Sequence, residues 1–155
     1  NEISKIKAYF LNKTITLNQL LDILNLKEND DFDLIRDTAL LGNKVKTNNL
    51  LSTTIIEVDK CNYYISLVNQ RLIKLREIVG EKNIEKAVNN LRPPIFWKDK
   101  PIFNKQVNKW NINKLAKLIN DTYKLELKIK TEHNLNKKTL LKQFIVNICE
   151  LANAA

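Results

Sequence analysis

The chain has 155 residues, 44% apolar and 28% charged, which is enough for one domain with a real core plus part of another and is the composition of a folded rather than a disordered protein. No apolar run is longer than the four residues AYFL, 8–11, which excludes a membrane-spanning helix. The formal charge of +9 invites a nucleic-acid partner, yet 22 Lys, 22 Asn and 18 Ile against four Arg is the skew that an AT-rich genome imposes on any protein.

Apolar residues recur at three and four, the helical period, and a two-residue strand pattern is almost absent. Residues 2–11 place Ile3, Ile6 and Phe10 on one face, and Thr16 is suited to cap LNQLLDIL. The acidic run ENDD, 28–31, opens a helix through Leu41, with Asp30 and Asp31 at the positive end of its dipole. Gly42 then serves as a left-handed cap. A helix from about Asn43 to Val58 follows, although STTIIEV within it is β-branched. Residues 61–79 carry Tyr64, Leu67, Val68, Leu72, Leu75, Ile78 and Val79 on one stripe and stop at Gly80. A short helix over 83–91 leads into LRPPIFWKDKPIF, 91–103. Asn111 caps a helix with Ile112, Leu115, Ala116, Ile119, Tyr123 and Leu127 inward. Asn136 caps the last, with Leu140, Leu141, Phe144, Ile145, Ile148 and Leu151 inward. The expected fold class is all-α.

Several chemistries are excluded by residue type. The only glycines, Gly42 and Gly80, stand at helix ends, and a phosphate-cradling loop normally needs glycine for its converging N–H groups, so a P-loop or dinucleotide fold is not expected. The single histidine, His133, has no neighbouring nucleophile, and EHNLN is neither a triad nor a zinc signature. The paired carboxylates of ENDD are explained by the helix dipole. Cys61 and Cys149 stand alone, as two free thiols in a reducing cytoplasm would. We therefore expect no catalytic site, metal or cofactor in this chain. There is no basic-then-apolar signal pattern at the N-terminus. With no starting Met and a helical pattern from the outset, the chain is expected to be a fragment of something longer.

The stretch 91–103 packs three prolines, three aromatics and three cations into thirteen residues. Pro93 and Pro94 end the preceding helix, because a residue before proline avoids the helical region. Pro101 fits the first turn of the next helix, where a missing N–H costs nothing. Ile95, Phe96, Trp97, Ile102 and Phe103 are expected to pin this corner to the core, leaving only its lysines in solvent. Trp97 and Trp110 could instead stack on bases, but tryptophans between helices are more often buried anchors.

Read together, RPPIFWKDKPIFNKQVNKW, 92–110, and LAKLINDTYKLELKIKT, 115–131, resemble the C-terminal part of delta subunits of bacterial DNA polymerase III, which are clamp-loader proteins. The string runs through Arg92, Pro93, Pro94, Phe96, Trp97, Lys98, Lys100, Pro101, Phe103, Gln106 and Trp110. Glu126, Leu127, Lys130 and Thr131 meet the ending of the family's next helix. Upstream, DTALLGN, 37–43, is similar to the junction between the family's second and third domains, and LVNQRLIKLREI, 67–78, to its long basic-faced helix.

The resemblance implies that residues 1–41 are the remainder of a helical lid and 43–155 a helical-bundle collar, the oligomerisation domain. It implies a non-catalytic subunit of a DNA-directed DNA polymerase (nucleotidyltransferase) holoenzyme, acting in DNA replication in a bacterial cytoplasm. Its partners would be the other loader subunits, gamma/tau and delta prime. The sliding clamp would be bound through an N-terminal domain missing here, and primed DNA in the assembled complex. His133, Arg71 and Lys74 are the candidate DNA contacts, with a solvated face as the competing reading of the latter two. On the last helix, Leu141, Ile145 and Ile148 are the candidate subunit interface, because its apolar stripe is broader than a minimal seam. Pro93, Pro94, Trp97, Pro101, Phe103 and Trp110 form the structural corner. The alternative is a stand-alone basic helical module that binds nucleic acid directly.

Overall fold

The computed structural model describes residue 16 and residues 26–132 and 134–154. The helices expected over 2–11 and after Thr16, the side chains of Asp30 and Asp31, and His133 lie outside the described residues. Within them the chain is all-α, with seven helices: α1 Leu26–Leu40, α2 Lys44–Thr53, α3 Cys61–Ile78, α4 Ile84–Asn90, α5 Lys100–Val107, α6 Ile112–Thr131 and α7 Lys137–Asn153.

Local chemistry accounts for most of the boundaries. Asn43, Asn83, Asn111 and Asn136 each accept a backbone N–H three residues on, so four helices begin on an asparagine cap. Pro101 stands in the first turn of α5. Gly42 (φ +72°) and Gly80 (φ +100°) take the left-handed backbone expected of them. At Gly42 the geometry is a complete Schellman turn: Gly42 N–H donates to the Ala39 carbonyl at 2.9 Å and Asn43 N–H to the Thr38 carbonyl at 3.1 Å. The β-branched stretch does shorten the second helix. α2 ends at Thr53, where the Ser52 and Thr53 hydroxyls donate back to the Asn49 carbonyl, and Thr54 is extended.

The core is built around α3, whose Tyr64, Ile65, Val68, Leu72, Leu75 and Ile78 are all buried. α3 packs chiefly along α6, while α1 packs along α7 and α2. Phe32 of α1 stacks on Tyr64 of α3, ring centres 4.3 Å apart. Phe32, Ile35, Ala39 and Leu40, on the N-terminal side of the expected 41/43 junction, share one apolar cluster with α3, α6 and α7. Of these, the larger side chains Phe32, Ile35 and Leu40 each contribute about 1.5–3 kcal/mol by leaving water.

One helix presents a different face from that expected. α6 buries Leu115, Leu118, Thr122 and Ile129, whereas Ile112, Ala116, Tyr123 and Leu127 are exposed and Ile119 is half-buried. The helix carries apolar residues on two adjacent stripes at helical spacing. Packing against α3 selects one of them, and periodicity alone cannot.

Candidate functional site

The C-terminal end of α1 organises the polar interior. The last carbonyls of a helix have no partner within it and need donors from elsewhere. Beyond the Schellman bonds, the Trp110 indole N–H donates to the Leu40 carbonyl at 2.8 Å, and the Asn153 side-chain amide donates to the Gly42 carbonyl at 2.7 Å. Gln106, fully buried on α5, donates its amide to the Asp37 carboxylate at 3.1 Å. Residues from the far half of the chain thus finish the end of the first described helix.

Asp37 is the hub of this network. Its carboxylate also accepts from Arg36 Nε at 3.0 Å and Arg36 Nη2 at 3.2 Å, and from Arg71 Nη2 at 3.0 Å. Burial pushes its pKa up, but hydrogen bonds from Arg36 and Gln106 and the charges of Arg36 and Arg71 outweigh it. The net direction is down, so the carboxylate is held ionised. Arg36 bridges outward to Asp33 at 2.6 Å, and the Arg71 guanidinium lies 5.4 Å from the centre of the Phe103 ring.

These contacts correct the expectation for Arg71. It is only 6% exposed, and its guanidinium serves Asp37, so it offers no charge to a phosphate and does not stand on a solvated face. Lys74, one turn on, is half-buried. Desolvation and the Arg71 charge lower its pKa, partly offset by Glu77. Arg36, Arg71 and Lys74 line a recess of about 230 Å³ together with Asp33, Asp99 and Phe96.

The candidate interface on α7 is also corrected. Leu141, Ile145 and Ile148 are buried in this chain's own core, so they have no surface left for a neighbouring subunit. The breadth of that stripe reflects contacts with α1, α2, α3 and α6 within one chain.

The corner at 91–103 divides in two. Ile95 and Phe103 are buried as expected, and so is Trp110 beyond it. Phe96 and Trp97 are not: they are 57% and 68% exposed, their rings tilted with centroids 5.8 Å apart. Lys98 Nζ lies 5.3 Å from the centre of the Trp97 ring. Pro93, Pro94 and Pro101 are exposed, and the Arg92–Pro93 bond is cis. The backbone here turns tightly between α4 and α5 and aims two successive aromatic side chains away from the core.

Cys61 and Cys149 are buried free thiols, and burial raises the Cys61 pKa, which disfavours the reactive thiolate. Among the described residues no three His, Cys, Asp or Glu side chains stand together to hold a metal ion, and no helix is long and apolar enough to cross a membrane.

Sequence reasoning missed Asp37 and Gln106 as partners because 69 residues separate them. A usable signal did exist for Arg71. It sits three residues after Val68 and four before Leu75, inside the apolar stripe of α3, and an arginine there requires a buried counter-charge. Compared with protein-family models, with curated proteins and with solved structures, the chain matches none.

Proposed function

We propose that this chain is the lid-and-collar portion of a clamp-loader delta subunit. On this reading it is a non-catalytic scaffold that joins gamma/tau and delta prime in the ring that places a sliding clamp on primed DNA. The observation that carries the proposal is the convergence at Asp37. Three separated stretches, 37–43, 67–78 and 92–110, resemble the family, and their polar residues Asp37, Arg71, Gln106 and Trp110 meet at the end of α1. Gln106 and Trp110, both in the string 92–110, close on the end of α1 beside the 37–43 stretch, where this reading puts the boundary between lid and collar.

With the inner stripe of α7 committed to the core, the surface this reading assigns to neighbouring collar domains is the outer stripe of α6, with Ile112, Tyr123 and Leu127 exposed. Mixing the purified chain with gamma/tau and delta prime tests it. Co-elution as one assembly is the expected result, with marked weakening by the pair Tyr123→Asp and Leu127→Asp. Failure of the wild-type chain to associate with either protein at micromolar concentration would overturn the proposal.

A further inference from the structure

We infer that Lys74 is a carbamate-forming lysine: its amine takes up carbon dioxide in the recess it lines, and the guanidiniums beside it hold the carbamate so formed. Such a modification is separate from the scaffold reading and does not depend on it. Lys74 follows Arg71 by three positions on α3, which puts the two side chains on one face, and both line the recess of about 230 Å³ with Arg36 of α1. Lys74 is half-buried, and among the described residues it has no hydrogen-bond or ion-pair partner. An ammonium there is repelled by two guanidiniums and gains no contact in return.

The charges that face the amine come from three elements: Asp33 and Arg36 of α1, Arg71 and Glu77 of α3, and Asp99 at the start of α5. Arg36 is fully spent, since its Nε, Nη1 and Nη2 all donate to Asp33 or Asp37. Arg71 donates to Asp37 through Nη2 alone, and its other N–H groups have no acceptor among the described residues. Burial and the Arg71 charge, with a smaller push from Arg36, lower the Lys74 pKa, and Glu77 opposes them less than Arg71 alone drives it. More of this amine is therefore neutral than on an exposed lysine.

The same field favours both halves of the reaction. Carbon dioxide is small and uncharged, so it enters the recess without shedding an ion's hydration. The nitrogen lone pair attacks its carbon: one C–N bond forms, one C=O π bond opens onto oxygen, and the nitrogen releases a proton to water. Counting the proton that the ammonium loses first, a side chain of charge +1 becomes one of −1. Repulsion from Arg71 and Arg36 turns into attraction, and the unspent Arg71 N–H groups gain an acceptor oxygen. Asp33 and Asp99 oppose the anion, but Asp33 is already paired with Arg36 at 2.6 Å.

The test uses the whole 155-residue chain in isotopically labelled bicarbonate. Ethylation with a trialkyloxonium salt fixes each carbamate as a stable ester, and peptide mass spectrometry assigns it to a residue. Lys74 should carry about five-fold or more adduct than exposed Lys82, Lys86 and Lys105, the scale of one partly exposed charge contact. High salt should shrink that preference by screening the guanidiniums. Glu77→Gln, an exposed change that removes the opposing carboxylate, should raise the Lys74 yield. Acetylation by an uncharged succinimidyl ester reads the availability of the amine alone, so the preference for Lys74 should be clearly smaller with that reagent. A Lys74 yield no higher than that of the exposed lysines overturns the inference. So does an equal preference with both reagents, which would leave Lys74 a weakly basic amine whose carbamate nothing holds. A Lys74 yield that fails to rise in Glu77→Gln overturns it as well.

Discussion

Replacing Asp37 by Asn tests whether the buried hub holds the fold. The substitution keeps shape and one acceptor oxygen but removes the only charge that faces Arg71 at ion-pair distance among the described residues. Arg36 keeps Asp33 at 2.6 Å, so it retains a partner. Arg71, at 6% exposure, is left with the Phe103 face at 5.4 Å and little water. Breaking a buried pair by removing one member costs about 3–5 kcal/mol, and the retained acceptor oxygen places Asp37→Asn near the lower end, about 3 kcal/mol. For a chain of this size that corresponds to a fall in Tm of about 6–12 °C.

Urea denaturation followed by circular dichroism measures the difference, and its pH dependence carries the sign. The folded-state pKa of Asp37 is depressed, so the hub's contribution is fully present above the unfolded value of about 4 and fades as pH falls through the lower folded value. Asp33 is coupled to the hub, its pKa raised by burial and by the Asp37 charge against the pull of Arg36, so both proteins carry Asp33→Asn in the pH series. The gap between wild type and Asp37→Asn should therefore be constant from pH 5 to 7 and narrow in stronger acid. A gap under about 1 kcal/mol at pH 7, or one that widens in acid, would refute the assignment of Asp37 as an ionised hub. The double variant Asp37→Leu with Arg71→Met should recover much of the loss, since a well-packed apolar pair can replace a buried ion pair at little cost.

Trp110→Phe keeps most of the buried ring and removes the donor to the Leu40 carbonyl; it should cost about 1–3 kcal/mol in the same urea titration. Gly42→Ala and Gly80→Ala both force a side chain into left-handed backbone, but only at Gly42 would the new Cβ meet a neighbour, 2.6 Å from Asn153 Oδ1. Gly80→Ala should thus lose about 1–2 kcal/mol from backbone strain alone. Gly42→Ala should lose more, because displacing Asn153 also breaks its bond to the Gly42 carbonyl. Equal thermal shifts for the two would contradict that account.

What could be read from the sequence was local. Helical period, the asparagines at 111 and 136, the two glycines and Pro101 all act within about one turn of chain, and they set the all-α class and most boundaries. What could not be read depends on which distant surface reaches a residue first. α6 has two apolar stripes, and only the position of α3 decides that Leu118 turns inward and Tyr123 outward. Leu141, Ile145 and Ile148 looked numerous enough to serve a partner as well as a core. Inside the fold, α1, α2, α3 and α6 all press on that helix and use the whole stripe. The exposure of Trp97 was hidden for a related reason. Large aromatics are more often buried than not, and sequence does not say which way a short corner between two proline-marked ends will face.

The stretch 92–110 joins two tasks that separate physically. Its second half faces inward: Phe103 lies under the Arg71 guanidinium, Gln106 holds Asp37, and Trp110 closes the end of α1. These residues stabilise the fold whatever surrounds the molecule. In its first half Ile95 turns inward, but Phe96 and Trp97 contribute little by burial because both are mostly exposed. Stability therefore gives little reason for two large rings at those positions. Changes at Trp97 should therefore leave the urea midpoint in place, while changes at Trp110 should lower it.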